Sequence, residues 1–186
     1  MQSNMNPTTT ALHFSVPTRE EVAPANQAIF DQLQASLGFV PNLYATIAYS
    51  EHGLGRFLAY QNAKTTLSNK EKEAVNLAVS QVNNCQYCLS AHYVLGKMNG
   101  FTDDQLHEIR QGRSENPKLN ALVALAADIT DHRGRPSAEL VEAFFAQGYT
   151  TAHLIDLILL ISDKTAMNYV HNLTQVPIDF PLAPAL

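Results

Sequence analysis

The sequence predicts an all-α fold from three observations. Apolar residues recur every three or four positions, the spacing that places them on one helix face. No segment alternates between apolar and polar residues for long enough to form a strand. Helix-starting Ser, Thr and Pro and helix-ending Gly and Asn separate the apolar stretches. Since 186 residues suit one domain with a core of its own, we expect an N-terminal arm over residues 1–20 and a single helical domain over residues 21–186.

Nine helices are predicted in order along the chain. Pro24 and Gly38 bound the first helix, and Ser68 with Glu71 forms a capping box at the start of the fourth. An Asn83–Asn84 pair ends the fourth helix, because Asn favours caps and turns. The predicted ranges are 24–37, 43–47, 54–64, 69–82, 85–98, 103–109, 117–131, 137–146 and 150–172.

When the sequence is compared with itself at an offset of 48 residues, the middle of the chain partly repeats. This predicts an internal two-copy helical repeat. The segment Gly100-Phe101-Thr102 falls on Gly148-Tyr149-Thr150. The alternative is chance similarity between amphipathic helices. The copies differ in their reactive residues: Glu73, Cys85, Cys88 and His92 correspond to Ala121, Arg133, Pro136 and Leu140. We therefore expect function to be concentrated in the first copy.

Composition excludes several classes of function. A formal charge of −5 gives no electrostatic basis for binding nucleic acid. The most apolar run, residues 154–161, is interrupted by Asp156 and is far shorter than the roughly 20 residues that span a bilayer. The N-terminal residues lack the basic start and apolar stretch of a signal peptide. We expect a cytoplasmic protein that associates with neither nucleic acid nor membrane.

The only two cysteines, Cys85 and Cys88, form a C-x-x-C motif, with His92 four residues further on. On a helix these three positions fall within an arc of about 60°. A helix start stabilises a thiolate, and His92 is within reach to accept a proton from Cys88. A peroxide can oxidise such a thiolate to a sulfenic acid, which a second thiol converts to a disulfide. The spacing therefore favours redox chemistry.

Other interpretations of these residues stay open at this point. The cysteines and His92 could be part of a zinc site, although no second C-x-x-C supplies further ligands, or both cysteines could be inert and buried. Glu73 would lie about 120° from the cysteines on one continuous helix, and only a break at Asn83–Asn84 could fold it back toward them. Otherwise it is a solvated glutamate. No partner is predicted for His171 or the remaining histidines.

The pattern of Glu73, Cys85, Cys88 and His92 resembles the AhpD-like, alkylhydroperoxidase-type branch of the carboxymuconolactone decarboxylase family. The resemblance is strongest over a core motif region of residues 67–110. Weaker similarity to the family's peroxidase-related subgroup covers the flanks. It implies an AhpD-like helical bundle that forms homotrimers or homohexamers and needs no cofactor or metal.

The resemblance also implies a role for each site residue. Cys88 would be the peroxidatic cysteine, Cys85 the resolving cysteine, and His92 with Glu73 a proton relay. Tyr87 stands where the best-known branch has a second histidine, and a phenol is a poor base at neutral pH. Tyr87 is thus a possible supporting residue of the relay.

These residues lead to one functional hypothesis and two alternatives. We expect an antioxidant peroxidase that reduces organic hydroperoxides or hydrogen peroxide at the expense of an unidentified thiol or dithiol. The alternatives are a non-catalytic thiol redox sensor and a lactone decarboxylase-type enzyme of the same family.

Overall fold

The computed structural model describes residues 14–186, and all regular structure in that part of the chain is helical, without strands. A short 3-10 turn at Arg19–Glu21 crosses the predicted boundary of the N-terminal arm. The α-helices are α1 (Pro24–Leu37), α2 (Asn42–Ile47), α3 (Gly53–Gln61), α4 (Asn69–Val82), α5 (Gln86–Met98), α6 (Asp103–Arg110), α7 (Pro117–Asp131), α8 (Ala138–Ala146) and α9 (Thr151–Thr174). The predicted all-α class is confirmed.

Helix ends follow the capping residues of the sequence. Ser68 accepts a hydrogen bond from the backbone N–H of Glu71, and the Glu71 carboxylate reaches back to the Ser68 backbone. Gly38 closes α1 at φ 83°, a left-handed conformation that glycine adopts without steric cost. Where such signals are strong, as in α1, α4 and α7, predicted and observed ends coincide.

Several helices differ from the predicted ranges by one to three residues, α3 and α5 among them. Helix α3 covers Gly53–Gln61 instead of residues 54–64, and the sequence there has no strong stop signal. Helix α5 begins at Gln86, one residue late, because Cys85 is its N-cap with extended backbone (φ −95°, ψ 96°). Cys85 therefore precedes the helix that carries Cys88, and it does not form the first position of a continuous helical stripe.

The internal repeat is visible in the helix order. Helices α4, α5 and α6 have counterparts 48 residues later in α7, α8 and the first turns of α9. Gly100 and Gly148 adopt φ 83° and 84°. Thr102 and Thr150 follow them, and each forms a capping box with the third residue of its helix.

Helix α4 lies at the centre of the molecule, in contact with α5, α6, α7 and α9. Its Leu77 packs among residues of α5 and α6, whereas Val75 and Val79 pack among residues of α7, α8 and α9. Leu77 and its counterpart Leu125 are both 0% exposed. Each such buried side chain contributes about 1.5–3 kcal/mol to folding. Because α4 contacts helices of both copies, the two copies share one scaffold.

Both ends of the described chain converge on α5. Phe14 and Val16, which belong to the predicted arm, pack against the apolar cluster that contains the cysteines. In the C-terminal tail, residues 175–186, the backbone N–H of Ala183 donates to Ser90 Oγ at 3.1 Å. Arg110 Nη1 donates to the carbonyl of Pro184 at 2.6 Å. None of the helices in residues 14–186 is long and apolar enough to cross a membrane.

Candidate active site

A tight turn between α4 and α5 assembles the site. Asn84 adopts φ 51°, a left-handed conformation that Asn tolerates better than most residues. The backbone N–H of Cys85 then donates to the carbonyl of Ser80 at 3.0 Å. Helix α9 secures the turn, since Asn83 Nδ2 donates to Asn168 Oδ1 at 2.9 Å. The turn folds α5 back along α4, as required for Glu73 to approach the motif.

Glu73 and His92 form a buried pair across the two helices. His92 Nδ1 lies 2.7 Å from Glu73 Oε2, and the side chains are only 10% and 15% exposed. Burial opposes ionisation of Glu73, but the charge and hydrogen bond of His92, with help from Lys164 and Lys72, lower its pKa. Burial, followed by the charge of Lys164, lowers the pKa of His92. The pair at neutral pH is therefore a carboxylate that accepts the Nδ1–H of a neutral imidazole. Glu73 is not a solvated residue.

The two cysteines are free thiols, and both are buried. Cys85 is 0% and Cys88 2% exposed. A hydrogen bond from Cys88, together with His171 and the Cys88 backbone N–H, outweighs burial and lowers the pKa of Cys85 to about 5. The same hydrogen bond, together with burial, raises the pKa of Cys88 well above its ordinary value. The first negative charge of the pair consequently rests on Cys85.

Helix α9 adds polar side chains that the sequence analysis missed. Lys164 and Asn168 are 3% and 0% exposed. The charge of Lys164 and a hydrogen bond from Asn168 both act to lower the pKa of Cys88, against the larger effects of Cys85 and burial. A signal was present in the sequence, because positions 164, 168 and 171 share the helix face that buries Leu157 and Ile161. Polar residues on a buried face indicate a polar site.

Tyr87 contacts the surrounding elements and makes no hydrogen bond to the Glu73–His92 pair. Its hydroxyl oxygen accepts a hydrogen bond from the backbone N–H of Leu43 at 3.2 Å. Burial and a hydrogen bond to Asp179 raise the pKa of Tyr87. Asp179 Oδ2 also accepts from the backbone N–H of Asn42 at 2.7 Å. Tyr87 thus joins the motif to the start of α2 and to the C-terminal tail.

A surface cleft lies between α3 and α9. Gln61, Lys72 and Asp163 line it, together with Tyr60 and Leu159. Gln61 Nε2 donates to the Asp163 carboxylate at 3.3 Å, and Gln61 Oε1 accepts from the hydroxyl of Tyr44. The charges of Cys88 and Glu73 help to raise the pKa of Tyr44, although burial is the larger cause. In residues 14–186, no cluster of three or more His, Cys, Asp or Glu side chains is arranged to hold a metal ion.

Residues 50–128, which contain the complete motif, match the profile of the carboxymuconolactone decarboxylase family. This segment is similar to that family and covers less than half of the chain. The resemblance drawn from Glu73, Cys85, Cys88 and His92 is thereby confirmed. No curated protein sequence matches the chain significantly.

Solved structures share the fold over most of the chain. An uncharacterised peroxidase-related protein from Silicibacter sp. TM1040 is 20% identical with a TM-score of 0.77, over 96% of this chain and 95% of that chain. An AhpD-core, peroxidase-related protein from Ralstonia eutropha JMP134 gives 20% and 0.77, over 86% and 88%. The debrominase Bmp8 in complex with 2,3,4-tribromopyrrole gives 17% and 0.73, over 91% and 94%. At these identities the likeness establishes the all-α AhpD-core fold.

Proposed function

We propose that the chain is a cofactor-free, cysteine-based peroxidase that reduces organic hydroperoxides or hydrogen peroxide in antioxidant defence. The observation that carries the proposal is the pairing of two buried free thiols with a buried carboxylate–imidazole couple. The thiols supply two electrons and the couple can exchange a proton, which are the requirements for cleaving an O–O bond. Peroxidase-related proteins of the same fold support the assignment.

In the proposed first step, the Cys88 thiol gives its proton to the Glu73–His92 pair, and the resulting thiolate attacks the terminal oxygen of the hydroperoxide. The O–O bond breaks, the leaving alkoxide takes a proton from the Glu73–His92 relay, and an alcohol departs. Cys88 is left as a sulfenic acid, oxidised by two electrons. Lys164 and Asn168 act to lower the pKa of Cys88, although Cys85 and burial raise it by more, so these two residues would stabilise the Cys88 thiolate once its proton has left.

In the second step, Cys85 attacks the Cys88 sulfur. The S–O bond breaks, hydroxide is protonated to water, and a Cys85–Cys88 disulfide forms. A thiol or dithiol reductant then opens the disulfide by exchange and restores two thiols. The low pKa of Cys85 favours its thiolate as nucleophile in the second step and as leaving group in the exchange.

The test is consumption of tert-butyl hydroperoxide with excess dithiothreitol by wild type, Cys88→Ser and Cys85→Ser. We expect turnover by wild type and none by either variant. We also expect one sulfenic acid per Cys85→Ser chain, trapped by dimedone on Cys88. A sulfenic acid on Cys85 in the Cys88→Ser chain would reverse the two roles.

Two other outcomes would replace the proposal. If wild type consumes a single equivalent of hydroperoxide despite excess reductant, the thiols form a redox switch. If it turns over 2,3,4-tribromopyrrole, the molecule bound to the debrominase of the same fold, but no hydroperoxide, the reaction is dehalogenation. Activity that survives loss of both cysteines would favour a lactone decarboxylase-type reaction.

We also propose that the chain works as a homotrimer or homohexamer in the cytoplasm, where its thiols stay reduced, without nucleic acid or membrane as partner. An apolar stripe on α9 supports self-association, because Ile155, Ile158 and Leu159 are 44–52% exposed. Sedimentation analysis of wild type and Ile158→Glu tests this. A wild type that sediments as a monomer at assay concentration would exclude the oligomer.

A further inference from the structure

The two thiols of the C-x-x-C motif are shut off from solvent. Cys85 is 0% and Cys88 2% exposed. Thiol–disulfide exchange requires a sulfur of the reductant to reach a sulfur of the disulfide. A disulfide formed at these buried positions cannot be reached by a reductant from outside. Some part of the structure therefore has to move before the last step of the proposed cycle.

The C-terminal tail is part of the cover over the motif. Val176 is 1% exposed and belongs to the apolar cluster that contains both cysteines, and Phe180 packs against the same cluster. The ring of Phe180 also meets the ring of Tyr87 edge-on, with centroids 5.6 Å apart and an interplanar angle of 84°. Since Tyr87 lies between Cys85 and Cys88 in sequence, the tail lies against the motif itself.

Separate hydrogen bonds hold the tail, which has no helix or strand of its own. The backbone N–H of Ala183 donates to Ser90 Oγ at 3.1 Å. Asn42 Nδ2 donates to the carbonyl of Pro177 at 3.0 Å. A segment held in this way opens locally at a lower cost in free energy than a packed helix does.

The other elements over the cysteines are less suited to opening. Helix α9 contributes Met167 to the cluster, but its Leu157 and Ile161 belong to the core cluster around α4 and α7. Lifting α9 would expose that core. The irregular segment before α1 contributes Phe14, which is only partly buried, whereas Val176 of the tail is fully buried. The tail is thus the part of the cover that is both central and weakly held.

We propose that the C-terminal tail is a strap that opens to admit the thiol reductant to the Cys85–Cys88 disulfide and closes again over the reduced thiols. The bond between Ala183 and Ser90 is the latch beside the motif, because Ser90 lies two residues after Cys88 on α5. The role in reduction rests on the proposed peroxidase cycle. Protection of the thiols by the strap requires no peroxide.

The experiment measures the rate at which N-ethylmaleimide alkylates the reduced thiols of the full chain. Ser90→Ala removes the acceptor of the Ala183 N–H, and Asn42→Ala removes the amide that donates to Pro177. We expect each variant to be alkylated roughly fivefold faster than wild type, because loss of one hydrogen bond raises the open fraction by about that factor.

The matched control loosens the other irregular segment. The Tyr49 hydroxyl bonds to the carbonyl and Oγ of Ser15 at 3.0 and 2.9 Å, so Tyr49→Phe should leave the alkylation rate unchanged. Low concentrations of urea should also have little effect, because opening a short segment exposes little surface. A rate that rises steeply with urea would attribute the exposure to global unfolding and overturn the proposal.

The outcomes separate the strap from the peroxidase. Equal alkylation rates for wild type and both tail variants overturn the strap even if wild type is an active peroxidase. A faster rate for Tyr49→Phe alone overturns it as well, because the N-terminal segment would then be the cover. Faster alkylation of the tail variants alone supports the strap even if no hydroperoxide is consumed.

Hydrogen exchange tests the strap without any substitution. In the wild-type chain, the Ala183 amide should exchange by local opening, well before the amide of Leu77 at the centre of α4. Both amides are hydrogen-bonded in the closed fold, so the difference reports which segment opens. An Ala183 amide as strongly protected as that of Leu77 would contradict the proposal.

Discussion

Residues 69–110 and residues 117–158 follow the same order of helices 48 positions apart, yet only the first stretch carries reactive side chains. They differ at the turn between their first two helices. In the first copy the chain turns through Asn83 and Asn84 and enters α5 with Cys85 buried. In the second it runs through an exposed loop at residues 132–137, where Arg133 adopts φ 54°. The helices provide the scaffold, and the short turn provides the chemistry.

The largest expected difference between the copies is in activity. Cys88→Ser should reduce hydroperoxide turnover by roughly a thousandfold or more, as loss of a nucleophile does. The corresponding residue of the second copy is Pro136, on the exposed loop, and Pro136→Ser should leave turnover unchanged. Initial rates under matched dithiothreitol measure both. Equal losses would mean that the second copy is not merely scaffold.

The second largest effect is a displacement of thiol ionisation by several pH units. With the pKa of Cys85 lowered to about 5 and that of Cys88 raised above 9.0, the reduced chain should carry one thiolate throughout the neutral range. Thiolate absorbance should rise by one equivalent as the pH increases through about 5, and again only above the ordinary pKa of a thiol. Cys85→Ser should remove the acidic step. A single transition of both thiols near their ordinary pKa would contradict the opposite shifts of the two pKa values.

Stability should be affected equally in the two copies. Leu77→Ala and Leu125→Ala remove side chains that are both 0% exposed at matching positions. Each should lower the free energy of unfolding by about 2–5 kcal/mol, from lost burial and the cavity left behind. Urea unfolding of both variants measures this. A much smaller cost for one copy would show that the scaffold is not shared evenly.

A smaller loss of turnover is expected when the Glu73–His92 relay is altered. Glu73→Gln keeps the size of the side chain but removes the charge that holds His92 Nδ1–H, and turnover should fall roughly a hundredfold. Glu142→Gln on α8, an exposed position, is the matched control and should leave turnover unchanged. If the Glu73→Gln variant keeps the wild-type rate across the pH range, Glu73 has no role in the mechanism.

The smallest effect concerns the turn itself. Asn84→Ala should cost about 1–2 kcal/mol, because alanine is strained at φ 51°, while Asn84→Gly should be nearly neutral. Arg133→Gly, at the corresponding turn of the second copy, should raise the free energy of unfolding by at most about 1–2 kcal/mol. Chemical denaturation measures all three. Destabilisation by Asn84→Gly would point to a role for the Asn side chain.

The sequence predicted the elements whose signals are local. The ends of α4 follow from Ser68 and from the Asn83–Asn84 pair, and the break between α4 and α5 was the feature that allowed Glu73 to return toward His92. The 2.7 Å contact between them supports the predicted relay geometry, while the catalytic roles stay predictions.

What the sequence did not reveal comes from α9. Lys164, Asn168 and His171 lie far from the motif in sequence and reach it only because α9 packs across α4 and α5. Helical periodicity identifies the face on which they lie but not the helix that this face contacts. Tyr87 was considered as a supporting residue of the relay, and its actual partners, Leu43 and Asp179, likewise come from distant segments.

The contacts of the C-terminal tail have a consequence for biosynthesis. Ala183 and Pro184 bond to α5 and α6, and Asp179 bonds to α2. A nascent chain cannot make these bonds while that segment is still inside the ribosomal exit tunnel. Both thiols should then be open to alkylation on ribosome-bound chains whose residues 175–186 have not yet emerged and become protected once they have, so the site is completed later than the helices that carry it.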